Sequence, residues 1–259
     1  MTQQSGGTAE KIQPHIMCGL RDVAQYALLP GHVQRPHLIA KIIREARKIA
    51  ENREFVTYTG KHGGIPVTVT STGIGGPSAS IAVEELANLG TKTFIRVGTT
   101  GSLQENVEIG DLVIATAAIR SDGTSLCYVP AEYPAVADLN LTSALQRAAQ
   151  NSTVKFHTGI VWSYDAYYAE TEDRIRHWSQ AKALAVDAES APIFVAASLR
   201  ELKAGSIMVV DGNLVKGTKK SEFTTGQQTG ELDPRVEAGI RREIEIALEA
   251  IRLLEAQHK

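Results

Sequence analysis

An α/β fold, a single three-layer α/β/α domain around a central mixed sheet, is what this sequence predicts, and three observations predict it. Short β-rich apolar segments alternate with amphipathic helical ones over nearly the whole length. Two glycine-rich stretches follow apolar strands, and the last long segment spaces its apolar residues as a helix does. Ligands of such layered domains sit where strand ends meet loops.

Taken in order, residues 1–13 are polar and contain Gly and Ser. They read as a disordered tail before a domain spanning residues 14–259, and they lack the basic start and apolar core of a secretory signal. Tyr26–Leu29, Pro66–Ser71, Thr93–Val97, Leu112–Ile119, Gly159–Val161 and Ser206–Val210 read as strands. Between the second and third, Ser78–Leu89 places Ala79, Ala82, Val83, Leu86 and Leu89 on one face and stops at Gly90, a helix of about three turns. Pro234–Leu254 starts with Pro in its first turn and spaces Val236, Ile240, Ile244, Ala247, Ile251 and Leu254 by three and four, a long C-terminal helix. The stretch Gly212–Asp233, rich in Gly, Thr and Lys, reads equally as a flap over a site or as an unstructured surface loop.

With 259 residues, 43% of them hydrophobic, the chain is long enough to bury a large core. A net charge of -2 gives no field that gathers nucleic acid or an anionic membrane, which favours a small-molecule partner. The longest apolar run, around Ile193–Leu199, falls far short of the roughly 20 residues that cross a bilayer. Cys18 and Cys127 lie outside any Cys-x-x-Cys or metal-ligand spacing and read as free thiols of a reducing compartment, and no metal is implied.

The chemistry concentrates in two segments. Ser71-Thr-Gly-Ile-Gly-Gly-Pro-Ser78 leads into a helix, and Arg96-Val-Gly-Thr-Thr-Gly101 follows a strand. Glycines at strand ends let backbone N–H groups approach an anion, and a helix start adds unpaired donors. Neither segment is a Walker loop, because no Gly-Lys-Ser/Thr follows. Arg96, flanked by Phe94, Ile95 and Val97, needs either an anion or a buried carboxylate such as Glu84 or Glu85. Arg35 and Arg53 stand in turn-like contexts and read alone as surface charges, yet three guanidinium groups with Thr99 and glycine amides would make a phosphate cradle.

The run Ser71–Leu86 resembles, position for position, the signature of the hexameric purine and uridine phosphorylases, and Phe94–Gly101 looks like that family's phosphate loop. Further similarity runs through Leu29-Pro-Gly31, Arg53-Glu-Phe55, Asp122–Leu126, Tyr133–Asp138, Asp165–Tyr168 and Glu189-Ser190, with Asp122–Asp138 closest to uridine phosphorylase. The resemblance implies a nucleoside phosphorylase-like fold and phosphorolysis of a nucleoside, uridine first, to free base and ribose 1-phosphate. It implies phosphate held by Gly31, Arg35, Arg96, Gly98 and Thr99, with Arg53 reaching in from a neighbouring subunit. His15, also crossing the boundary, would contact the ribose 5′-hydroxyl, while Ala188 and Glu189 would hold the ribose, Glu189 gripping the 2′-hydroxyl. Glu189 and Arg96 would then be the catalytic pair. Thr100, Gly101, Tyr167, Arg174 and Asp211 are the candidates facing the base.

The same resemblance implies a cytoplasmic homo-hexamer, a trimer of dimers, acting on nucleoside and inorganic phosphate without a cofactor. In some relatives a monovalent cation sits between subunits near the residues matching Glu54, Ile74 and Ser78.

Departures gather at the base. Uridine phosphorylases present Gln-x-Arg after the residues matching Tyr167-Tyr168; here an ungapped alignment gives Thr171 and Asp173, and one inserted residue gives Glu172-Asp-Arg174. Purine phosphorylases use an Asp where Val210-Asp-Gly212 puts Gly, with Asp211 one residue earlier. The family's Gly-Asp-Pro turn reads Gly31-His-Val33, and its Glu-Met-Glu run reads Asp187-Ala-Glu189. Base specificity is therefore open between uracil and purine, and methylthioadenosine is a further substrate alternative. A water-using nucleosidase is disfavoured by the arginine set, and a catalytically silent nucleoside-binding protein by retention of Glu189 and Thr99.

Overall fold

The computed structural model describes residues 12–218 and 233–257. Its elements are β1 (Tyr26–Pro30), α1 (Arg35–Ala40), β2 (Arg44–Asn52), β3 (Phe55–His62), β4 (Ile65–Thr70), α2 (Gly76–Asn88), β5 (Thr93–Ser102), β6 (Leu112–Ser121) and α3 (Gly123–Tyr128). There follow β7 (Ala135–Val136), α4 (Leu139–Gln150), β8 (Phe156–Tyr164), a single 3-10 turn at Tyr167–Ala169, α5 (Glu172–Gln180), β9 (Ala185–Asp187), α6 (Ser190–Leu199), β10 (Lys203–Asn213) and α7 (Pro234–Gln257).

The sheet is mixed, with β10-β6-β8-β9-β5-β1-β4-β3-β2 as its order and β7 paired to β6. Because β10 also pairs along β5, the strands β5, β10, β6, β8 and β9 close on themselves. β5 lies at the centre, parallel to β1 and β10 and antiparallel to β9 at Gly101 and Ser102. Successive residues of a strand point to opposite faces, and β5 divides accordingly. Phe94 joins the core under α2 and α6, whereas Ile95 and Val97 join the core under α1, α4 and α7. The expected central mixed sheet with helices on both faces is therefore present, and its partial closure is an addition.

All six strands read from the sequence are there, five of them longer: β8 extends Gly159–Val161 in both directions, and β10 runs to Asn213. Both predicted helices form as α2 and α7. The apolar run Ile193–Leu199 lies in α6, whose residues 190–197 are all buried, so it is a core helix. Among the described residues no helix is long and apolar enough to cross a membrane. Of the tail expected over residues 1–13, residues 1–11 lie outside the described residues, but Gln13 is buried, donating its N–H to Cys18 O and accepting from Asn88 Nδ2, so it belongs to the domain. Most of the expected flap, residues 219–232, also lies outside the described residues. Cys18 is buried, Cys127 exposed, and both are free thiols.

Candidate active site

Arg96 occupies the middle of β5 at 4% exposure, so each of its donors must be accounted for. Its Nε donates to Asp187 Oδ2 at 2.7 Å, and its Nη2 lies 2.5 Å from Glu189 Oε2. Its Nη1 is buried and finds no hydrogen-bond partner among the described residues. A Cβ on Gly98 would fall 2.9 Å from Arg96 Cζ, so the guanidinium lies against bare backbone. A Cβ on Gly31 would fall 4.0 Å from Nη1, which places the β1 glycine turn beside the unspent donor. Burial works against the charge of Arg96, but Glu189 and Asp187 outweigh it and hold the guanidinium above its ordinary range.

The carboxylates are local products of β9 and the turn into α6. Asp187 ends β9 and accepts from Ser163 Oγ through Oδ1 and from Ser190 N and Oγ through Oδ2, which fixes it as an anchor for Arg96. Glu189 precedes α6, and Gly75 N donates to its Oε1 at 2.6 Å. Gly75, at φ 96°, takes a backbone conformation natural to glycine at the start of α2. The amide expected to meet an external anion thus holds the carboxylate of Glu189. Burial pushes the Glu189 carboxyl up and Asp187 adds to this, against the pull of Arg96 and of the Gly75 and Ala188 amides.

Arg35 opens α1 and is likewise buried. Its Nη1 donates to Val97 O at 3.2 Å and to Glu243 Oε1 at 2.9 Å. Arg35 therefore holds the carbonyl of Val97 on β5, whereas Arg96 of the same strand turns to Asp187 and Glu189. Thr99 stands in register with Val209, further along the same strand.

His15 and Arg53 lie together in the same protomer: Asn52 Nδ2 donates to His15 O at 2.8 Å, and Arg53 follows in the β2–β3 turn at φ 53°. His15 is held through Nδ1, 2.5 Å from Glu85 Oε1, and its backbone N–H also meets Glu85. Arg53 is exposed and makes no hydrogen bond or ion pair among the described residues. Beside the turn, Gly73 packs against Glu54 so closely that a Cβ would fall 2.8 Å from Glu54 Cγ and 3.4 Å from Ser78 Oγ, while Ile74 is 91% exposed.

The base candidates are more scattered. Thr100 is buried and donates its hydroxyl to Val186 O at 2.7 Å, and Gly101 lies under Leu214. Tyr167 sits in the 3-10 turn, edge-on to Tyr168. Asp211 occupies the β10 bulge between Val210 and Gly212. Arg174 lies over the Tyr164 ring at 5.0 Å, in a cavity of about 400 Å³ with Trp162, His177 and Trp178. Trp162 and Tyr164 alternate along β8 with Ser163, whose hydroxyl faces Asp187, so this cavity lies on the opposite face of β8 from Arg96.

Three residues that sequence reasoning missed hold the two buried arginines: Asp187 on Arg96, Ser163 on Asp187, and Glu243 on Arg35. The carboxylates proposed as partners of Arg96 are engaged elsewhere, Glu84 with Arg200 and Glu85 with His15. Glu243 carried a legible signal, since it falls three residues after Ile240 and four before Ala247 on the apolar stripe of α7.

A mixed sheet covered on both faces, with two arginines and three carboxylates buried around β5 and glycine turns at strand ends, defines an α/β protein whose buried charges gather where such sheets take their ligands. The phosphorylase superfamily model matches residues 25–242, and the chain belongs to that family. A uridine phosphorylase of Thermococcus kodakarensis is 46% identical over 221 residues, 80% of each chain. A guanosine phosphorylase of Halorubrum lacusprofundi is 39% identical over 242 residues, 93% of this chain and 99% of that one. The solved uridine phosphorylase of Vibrio fischeri ES114 superposes with a TM-score of 0.87 at 30% identity, covering 95% of this chain and all of its own. The resemblance read from Ser71–Leu86 and Phe94–Gly101 thus extends over most of the sequence.

Proposed function

We propose that this chain is a nucleoside phosphorylase, a pentosyltransferase that uses inorganic phosphate to split uridine into uracil and ribose 1-phosphate. The observation that carries the reading is the buried Arg96–Glu189 contact, with Arg96 Nη1 left over beside Gly31. A guanidinium with one buried, unspent donor offers charge and direction to a phosphate oxygen, and Arg35, Gly98 and Thr99 stand near the same strand. In this reading Glu189 accepts from a ribose hydroxyl. Phosphate is held below the anomeric carbon, its oxygen forms the new bond to that carbon, and the bond to the base nitrogen breaks, the base leaving with the electron pair and taking a proton. Positive charge that gathers on the sugar faces the carboxylate of Glu189.

His15 and Arg53 complete the site from a neighbouring subunit, in a trimer of dimers. The exposed guanidinium of Arg53, at a hairpin tip and without a partner among the described residues, supports that placement. No organic cofactor enters, a monovalent cation near Glu54 and Ser78 is an accessory at most, and the enzyme works in the cytoplasm. Of the base contacts, Tyr167, Arg174 and Asp211 are the discriminating candidates. A purine substrate is the second reading, favoured by the position of Arg174 on the far face of β8 and by the similarity to a guanosine phosphorylase. The test is base release from uridine, thymidine, inosine, guanosine, adenosine and methylthioadenosine, each with and without phosphate. The account expects uridine to lead and every cleavage to require phosphate.

A further inference from the structure

We propose that Glu243, on the C-terminal helix, is a positioning residue for phosphate, fixing the Arg35 guanidinium in the orientation from which it meets the anion. The inference rests on the reading of Arg35 as a phosphate ligand and adds to it a residue that no glycine or arginine motif marks. Glu243 Oε1 takes Arg35 Nη1 at 2.9 Å, and Oε2 takes Val209 N at 3.1 Å. Both carboxylate oxygens therefore face donors, one on α1 and one on β10, and the side chain cannot turn without breaking a bond. Arg35 Nη1 is bound a second time, by Val97 O at 3.2 Å. Two acceptors fixed on β5 and α7 set the plane of the guanidinium and leave its Nε and Nη2 without a hydrogen-bond partner among the described residues.

The place of Glu243 argues for a use beyond packing. Its exposure is 0%, and its neighbours on the buried stripe are Ile240, Ile244 and Ala247. Burial pushes its carboxyl up to about 8 against the pull of Arg35, Arg96 and the Val209 amide, yet both of its oxygens accept from N–H donors, the pattern of the ionised form. An apolar side chain at such a position is commonly as stabilising as a buried ion pair or more so, so stability alone gives a poor reason for Glu243. Orientation of Arg35 gives a better one. It also ties phosphate affinity to the docking of a helix 208 positions away in sequence.

Two effects of the carboxylate oppose each other. Its negative charge lies near the proposed anion and weakens phosphate binding, while its grip on Arg35 strengthens it by removing the freedom of a long side chain. The geometry points to orientation as the larger effect, because misplacement by about 1 Å costs up to about a hundredfold where a ligand must be aligned for reaction, and because Arg96 already supplies a fixed positive charge.

The test measures the apparent KM for phosphate, the KM for nucleoside and kcat in the intact oligomer of the wild type, E243Q, E243D, R35A and the double variant R35A/E243Q. Gln keeps the size but sets an amide NH₂ against a donor. E243Q is expected to raise the phosphate KM about tenfold while kcat at saturation stays within about twofold. E243D, which keeps the charge but retracts it, should fall between wild type and E243Q. In the R35A background E243Q should add nothing. If R35A raises the phosphate KM and E243Q leaves it unchanged or lowers it, the positioning role is overturned and the phosphate reading of Arg35 survives. If R35A itself leaves the phosphate KM unchanged, that reading falls and this inference with it. Should E243Q fail to fold, the same comparison on E243D decides, a phosphate KM equal to wild type being the overturning result.

Discussion

Arg96 and Glu189 meet in a buried ion pair, Nη2 to Oε2 at 2.5 Å, so that one contact joins the residue assigned to phosphate with the residue assigned to the sugar. Asp187 holds the same guanidinium from its Nε side at 2.7 Å, and Gly75 N holds Glu189 from the other. Four groups from β5, β9, the α2 start and the α6 start thus orient each other before any ligand arrives. Such preorganisation means that charge stabilisation costs no rearrangement during reaction.

Removing Arg96 should therefore damage both halves of the site. Arg96→Ala is expected to lose about 2–4 kcal/mol of transition-state stabilisation in kcat/KM, with most of the effect on phosphate. Arg96→Lys should restore little, because one ammonium cannot reproduce the Nε and Nη2 contacts and still offer Nη1. Steady-state kinetics with phosphate varied at saturating nucleoside checks both.

That Arg96 needs a buried partner was legible because a charged residue inside an apolar strand has few explanations. Its partners were not. Asp187 lies 91 positions away, and only the pairing of β5 with β9 brings the two together. Helix α6 was hidden for a different reason: with residues 190–197 buried all round, it has no polar face and so no helical period. β2 was hidden by the opposite case, since its residues Arg44–Lys48 are all exposed and charged or small, as suits an edge strand. The glycine turns were visible as ligand-facing backbone, but sequence could not tell that Gly75 would spend its amide on Glu189.

Glu189 should impose an acid limit on the rate. Burial raises its carboxyl, so the protonated form persists to a higher pH than in a free glutamate. The proposed role needs the ionised form. Activity is then expected at pH above the raised pKa and lost as pH falls through it, starting above the ordinary value of 4.5. Glu189→Gln should lower kcat about 10²–10³-fold and abolish that acid limb. A pH profile of kcat for both proteins is the check.

Gly98→Ala is a steric probe of the same guanidinium. The added methyl would sit 2.9 Å from Arg96 Cζ and 3.1 Å from Nη1. Either the backbone or Arg96 must shift, and the φ of Gly98 is not one that demands glycine. The variant should fold with a Tm near wild type yet show a phosphate KM raised about tenfold or more. A large fall in Tm with unchanged phosphate KM would place the strain in the backbone.

If His15 and Arg53 serve the neighbouring subunit, two dead variants should rescue each other. H15A/R53A and R96A are each expected to be nearly inactive, whereas subunit exchange creates mixed dimers with one intact site. Random pairing should recover roughly a quarter of wild-type activity. Mixed oligomers seen by native mass spectrometry without any recovery would place His15 and Arg53 in their own protomer's site or in none.

The most direct measurement is uracil release from uridine by the purified protein with and without inorganic phosphate, with the sugar product identified. The account predicts no release without phosphate, and one ribose 1-phosphate for each uracil when phosphate is present. Equal release in its absence, with free ribose as product, would contradict it, and so would failure to cleave any nucleoside.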